Sequence, residues 1–234
     1  MNNTDTTRGA EAEKAASAAT NGFLGVLMLD TRFPRLPGDV GHADAFGVPT
    51  SWRIVKGAWP DQIVQSAAGL RAGRVVTAFV QVVRNLEKAG ARTITTSCGF
   101  LVLLQKELQA AVKVPVITSS LLQLPGLMAQ QAKVGVLTIS AGKLGVEHLR
   151  AAGVLKERLK DVVTQGVDTA GELATVILGN RDTLNITKAS AEVVAAEMEL
   201  KRREPSLQSV VLECTNMPPY RAEIEAATGL KTWH

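Results

Sequence analysis

An alternation kept up from residue 23 to residue 212 restricts this chain's fold more than any other feature. Short apolar runs at Phe23–Leu29, Ser51–Val55, Thr93–Thr96, Val114–Ile117, Val134–Ile139, Val162–Thr164 and Val210–Leu212 read as strands. Amphipathic stretches of helical period separate them. In residues 75–88, for example, Val75, Val76, Phe79, Val82, Val83 and Leu86 mark one face, and Gly90 supplies the stop. Residues 144–151, 170–178 and 189–202 predict further helices, and Asp61, after Trp59-Pro60, reads as a helix N-cap. Strands that alternate with helices form parallel sheets covered on both faces. Hydrophobic residues make up 46% of the chain but aromatics only 4%, so the core must be aliphatic, which suits buried parallel strands.

The two halves echo each other. Gly25-Val-Leu-Met-Leu-Asp30 resembles Gly135-Val-Leu-Thr-Ile-Ser140, and nearly the same offset separates the only two cysteines, Cys98 and Cys214. Each cysteine ends a strand and precedes a helix-like stretch. Cys98 closes Arg92-Thr-Ile-Thr-Thr-Ser-Cys98, and Cys214 closes Ser209-Val-Val-Leu-Glu-Cys214. The predicted fold class is therefore α/β with two similar lobes, each a parallel sheet flanked by helices. The active site is expected in the cleft between them, because ligands bind at the carboxyl ends of parallel strands.

Two opposed thiols have a definite chemistry. A free thiol has a pKa near 8.5, and a helix start with a few aimed donors favours the thiolate. A thiolate on one face of a carbon and a thiol on the other can remove a proton and return one from the opposite side. The anion formed next to a carboxylate needs donors, which Thr96, Ser97, Gly99, Thr215 and Asn216 can provide around the two cysteines.

Asp30-Thr31 after the first strand, Thr-Ser-Cys98-Gly99 after a middle one and Glu-Cys214-Thr-Asn216 after a late one together resemble the aspartate/glutamate/hydantoin racemase superfamily. The resemblance covers most of residues 22–230 and is specific in the two cysteine motifs. It implies a cofactor-independent racemase or epimerase of an amino acid or related carboxylate, with Cys98 and Cys214 as the catalytic pair. Asp30 and Thr31 inherit a supporting role, and Ser119 and Ser120 follow a strand where they could hold a carboxylate. The superfamily's Cys-Asn-Thr corresponds to Cys98-Gly99-Phe100 and its Cys-Thr-His to Cys214-Thr215-Asn216. These departures point away from glutamate and toward a different or larger side chain. On the same fold, a malonate-type decarboxylase, a dicarboxylate cis-trans isomerase or a non-catalytic binding protein are the alternatives. The resemblance also implies an inserted lobe. Residues 21–119 plus 217–234 are expected to form one lobe and 120–216 the other, in a homo-oligomer, a dimer.

Other classes have little support. The net charge of +4 is mild, and no basic stripe interleaved with aromatics suggests nucleic acid. No dinucleotide-type glycine motif follows a strand, and His42, His148 and His234 lack metal-ligand spacing, so neither cofactor nor metal is expected. Residues 1–20 have no apolar core and read as a disordered tail rather than a signal or anchor, which leaves a cytoplasmic protein with reduced thiols. The loop Arg32-Phe-Pro-Arg-Leu-Pro-Gly-Asp39 reads as an ordered turn or as an entrance whose arginine meets an anionic substrate.

Overall fold

A computed structural model describes residues 22–72 and 75–234; the expected tail at 1–20 lies outside them. Two four-stranded parallel sheets form the frame. The first contains β1 (Phe23–Met28), β2 (Thr50–Ile54), β3 (Ala91–Thr96) and β4 (Val116–Ile117), in the order β2-β1-β3-β4. The second contains β5 (Val134–Thr138), β6 (Val162–Gly166), β7 (Ser209–Leu212) and β8 (Lys231–Trp233), in the order β6-β5-β7-β8. The two orders are the same topology repeated, so the two-lobed α/β fold is as the sequence predicts.

The repeat extends to single contacts. Ser97 N donates to Leu27 O at 3.0 Å, and Glu213 N donates to Leu137 O at 2.8 Å. Gly25 and Gly135 lie where a Cβ would press on Leu86 and Leu200 respectively. In each half that leucine comes from the long helix preceding the cysteine-bearing strand, so the repeated glycine is where that helix closes on the sheet. In the helix Val75–Lys88 only Phe79, Val83 and Leu86 are fully buried, at the i, i+4, i+7 spacing of one face. Gly90 follows that helix at φ 102°, a conformation that favours glycine.

Two local expectations need correction. Asp61 caps nothing. It lies inside the one-turn helix Pro60–Ile63, whose cap position is Trp59, because proline at the first position supplies the start. The C-terminal segment does not return to the first sheet, since β8 pairs with β7 in the second. Residues 217–234, expected in the first lobe, carry the helix Arg221–Thr228 and then this strand. Gly229, at φ 66°, turns the chain back along β7. No helix among the described residues is long and apolar enough to cross a membrane.

Candidate active site

Both cysteines are buried, 8% and 7% exposed, and line one small cavity of about 20 Å³. That is room for about one water molecule. Cys98 is the extended residue that starts the 3-10 helix Gly99–Leu104. Cys214 follows β7 by two residues and starts the turn leading to Pro218–Tyr220. Gly99, Thr215 and Asn216 share the cavity, whose remaining wall is mostly aliphatic and aromatic, with Leu29, Phe33, Phe100 and Ile177.

The other candidates lie elsewhere. Thr96, Ser119 and Ser120 line a larger cavity of about 680 Å³, which meets the thiol cavity at Thr215. Three of these hydroxyls are committed to the backbone. Thr96 Oγ1 lies 2.7 Å from Thr118 O, Ser119 Oγ accepts from Leu121 N at 3.2 Å, and Ser120 Oγ donates to Leu212 O at 2.8 Å. Ser97 lines neither cavity; its hydroxyl accepts from Leu29 N at 3.0 Å, and its carbonyl accepts from Thr215 Oγ1 at 2.8 Å. Asp30 accepts from Gly57 N at 3.0 Å, and Thr31 accepts from Arg35 at 2.8 Å; neither lines either of these two cavities.

Three charged residues shape the thiol site; sequence reasoning flagged the loop that holds two of them without their roles there, and missed the third. Arg35 and Asp39, in the loop after β1, form an ion pair at 2.9 Å, and the Arg35 guanidinium stacks 4.4 Å from the centre of the Phe33 ring. Asp39 is 1% exposed and accepts from the Asn216 side-chain amide. Asn216 Oδ1 thereby faces Cys214 and accepts its S–H at 3.6 Å. The Arg32–Asp39 loop therefore reaches a thiol through Asn216. Its i, i+4 Arg–Asp spacing was the available signal.

Glu213 is the third. Strand alternation predicts it on the far side of β7 from Cys214, but β7 ends at Leu212, so the alternation no longer applies. Its carboxylate is 1% exposed and lines the thiol cavity, with Oε2 accepting from Thr138 Oγ1 at 2.7 Å and Oε1 unpartnered. Burial pushes its pKa up to about 7, against the opposing pull of Thr138.

The thiols are not activated as the sequence predicts. Burial pushes Cys98 up to about 12, and the Glu213 charge adds to this. The Phe100 and Leu101 amides and Arg35 pull the other way without prevailing. Cys214 is raised well above the ordinary thiol range by burial, Glu213, Cys98 and Asp39. Desolvation outweighs the helix start because both cysteines are more than nine-tenths buried.

No family model matches the chain. Among solved structures, the aspartate racemase of Picrophilus torridus aligns with a TM-score of 0.55 at 17% identity, covering 91% of this chain and 88% of its own. An arylmalonate decarboxylase aligns at 0.52 and 15%, covering 90% and 85%. The glutamate racemase of Francisella tularensis aligns at 0.53 and 15%, covering 91% and 75%. These likenesses show the fold alone, the one that these racemases and the decarboxylase share.

The sequence relatives carry a different activity. Dimethylsulfoniopropionate lyase of Durusdinium sp. clade D is 30% identical over 217 residues, 90% of this chain and 70% of its own. Dimethylsulfoniopropionate lyase 7 of Emiliania huxleyi is 27% identical over 226 residues, and this chain spans only 62% of its length. These relatives overturn the racemase expectation, because they are named for a lyase and not for an amino-acid isomerase. On the match to the Durusdinium protein, the chain belongs to the dimethylsulfoniopropionate lyase family.

Proposed function

We propose that the chain is a lyase that cleaves a β-sulfonio carboxylate of the dimethylsulfoniopropionate kind by β-elimination, with the Cys98 thiolate as base. The observation that carries this reading is the small cavity shared by two thiols, in a chain related to proteins named for that activity. In the reaction the thiolate takes a proton from the carbon next to the carboxylate. The electron pair so freed forms the carbon–carbon double bond, and the bond to sulfur breaks with its pair going to sulfur. Dimethyl sulfide and acrylate leave, and one proton is released overall.

Elimination needs one base, whereas racemisation needs an acid on the opposite face as well. The charges favour Cys98 for that base. Arg35 and the amides of Phe100 and Leu101 pull its thiol pKa down, while Cys214 spends its S–H on Asn216, whose amide is turned by Asp39. Burial keeps both thiols protonated in the ligand-free cavity. A cationic sulfur brought into that cavity favours ionisation of the thiol beside it. Reduced thiols suit the cytoplasm, where we locate the protein.

The test is direct. The purified chain is incubated with dimethylsulfoniopropionate, dimethyl sulfide is followed by gas chromatography and acrylate by proton NMR. Equimolar appearance of the two is expected. Absence of dimethyl sulfide at saturating substrate rejects the reading.

A further inference from the structure

We infer that the Glu213 carboxylate is the counter-charge that seats and selects the cationic sulfur of the substrate. The inference rests on the lyase reading above and assigns a recognition role to a residue on the wall of the thiol cavity.

An alkylsulfonium group is a difficult ligand. It carries a full positive charge but has no hydrogen to donate, so it is held by a negative charge, by aromatic faces and by apolar contact. The thiol cavity combines all three. Phe33 and Phe100 contribute rings, and Leu29, Ile139 and Ile177 contribute aliphatic wall. Glu213 contributes the charge. Its Oε2 is held by Thr138 Oγ1, while Oε1 is buried without a partner. A buried carboxylate oxygen left unpaired is costly and calls for an explanation. A ligand cation would supply the missing partner.

Asp39, the other acid near the thiols, is already matched by Arg35, the Gly41 amide and Asn216. Gly99 makes the seat possible, because a Cβ there would collide with the Glu213 carbonyl and with Oε1. Glycine at 99 leaves room for Oε1 next to Cys98, and Phe100 adds a ring. The attraction is the same for the bound substrate and for the step that takes the α-proton, in which sulfur is still cationic, and it vanishes once sulfur departs as a neutral sulfide. Glu213 is thus a specificity residue that acts on binding, with little effect on the rate of bond breaking.

Two inert analogues of the same shape isolate the charge. They are 3-(trimethylammonio)propionate and 4,4-dimethylpentanoate, in which a quaternary carbon replaces the nitrogen. Calorimetric titration of the full chain at pH 8 is expected to show the cation bound about 10- to 100-fold more tightly. Glu213→Gln should erase that preference. With dimethylsulfoniopropionate the same variant should raise KM by a similar factor and leave kcat within about threefold. The preference should also weaken in the wild type as pH falls below about 7, where the carboxylate takes up a proton. Of the other ionisable groups around it, the two thiols and Tyr220 do not titrate there to mimic this. Cys98, Cys214 and Tyr220 are pushed up, His148 behind Phe100 is pushed down by burial, and Asp39 is paired with Arg35.

Glutamine keeps the shape and removes a buried charge, and an unchanged or higher melting temperature at pH 8 verifies the fold. Retention of the cation preference by Glu213→Gln overturns the inference, as does a fall in kcat at constant KM, which would assign the carboxylate to proton transfer. A wild-type chain that prefers the cation through Glu213 yet releases no dimethyl sulfide refutes the lyase reading and upholds the seat. Release of dimethyl sulfide without any Glu213-dependent preference does the reverse.

Discussion

The two thiols share a cavity but not an electrostatic environment. Cys98 has Arg35 and two backbone amides pulling its thiol toward ionisation, whereas Cys214 donates its proton into the chain of Asn216, Asp39 and Arg35. A racemase would make the two nearly interchangeable, since each serves one face of the carbon. Elimination lifts that requirement. Cys98→Ala should therefore lower the rate of dimethyl sulfide release by about 10²- to 10⁴-fold, the usual worth of a general base. Cys214→Ala should cost about tenfold or less, through looser packing around the substrate. Initial rates for both variants at saturating substrate decide the matter, and equal losses would restore a two-base mechanism.

Among the elements, the helix Ile186–Arg203 carries a second buried acid away from the thiols. Glu197 faces inward with Ala189, Val193 and Leu200, is 0% exposed and has no partner for either oxygen, and burial pushes it up to about 7. An acid whose pKa is raised on folding binds its proton more tightly in the native state. Its contribution is complete below the ordinary carboxylate range and is lost as pH rises through about 7. Glu197→Gln should stabilise the chain by up to about 3 kcal/mol at pH 8 and by almost nothing at pH 4, as urea denaturation at the two pH values would measure. Element-level features were the most legible in the sequence. All seven apolar runs are strands, because a buried parallel strand needs a run of aliphatic residues and little else. The eighth strand, Lys231-Thr-Trp233, escaped notice because an edge strand of three residues with only Thr232 buried has no such run. The site was legible where chemistry is local, at the two cysteines and the residues next to them. It was illegible at Glu213 and Asp39, whose roles depend on where a strand stops and on a contact spanning most of the chain.

At the scale of the whole molecule, each half of the chain builds its own sheet and supplies one thiol, and the thiol cavity exists only where the halves meet. That space of about 20 Å³ is far smaller than any carboxylate bearing a dimethylsulfonium group. On the lyase reading the walls must part before each turnover, and the same parting would open the way for a reagent to either sulfur. The thiols thus act as a built-in clock for the breathing of the molecule. With a chromogenic disulfide in excess, their labelling should be slow and should level off at a rate independent of reagent concentration, which is the opening rate itself. Turnover cannot outrun that plateau unless substrate hastens the opening, so an experiment without substrate sets the basal speed limit of the enzyme. Labelling that stays proportional to reagent concentration and as fast as that of a free thiol would mean that the cavity stands open in solution.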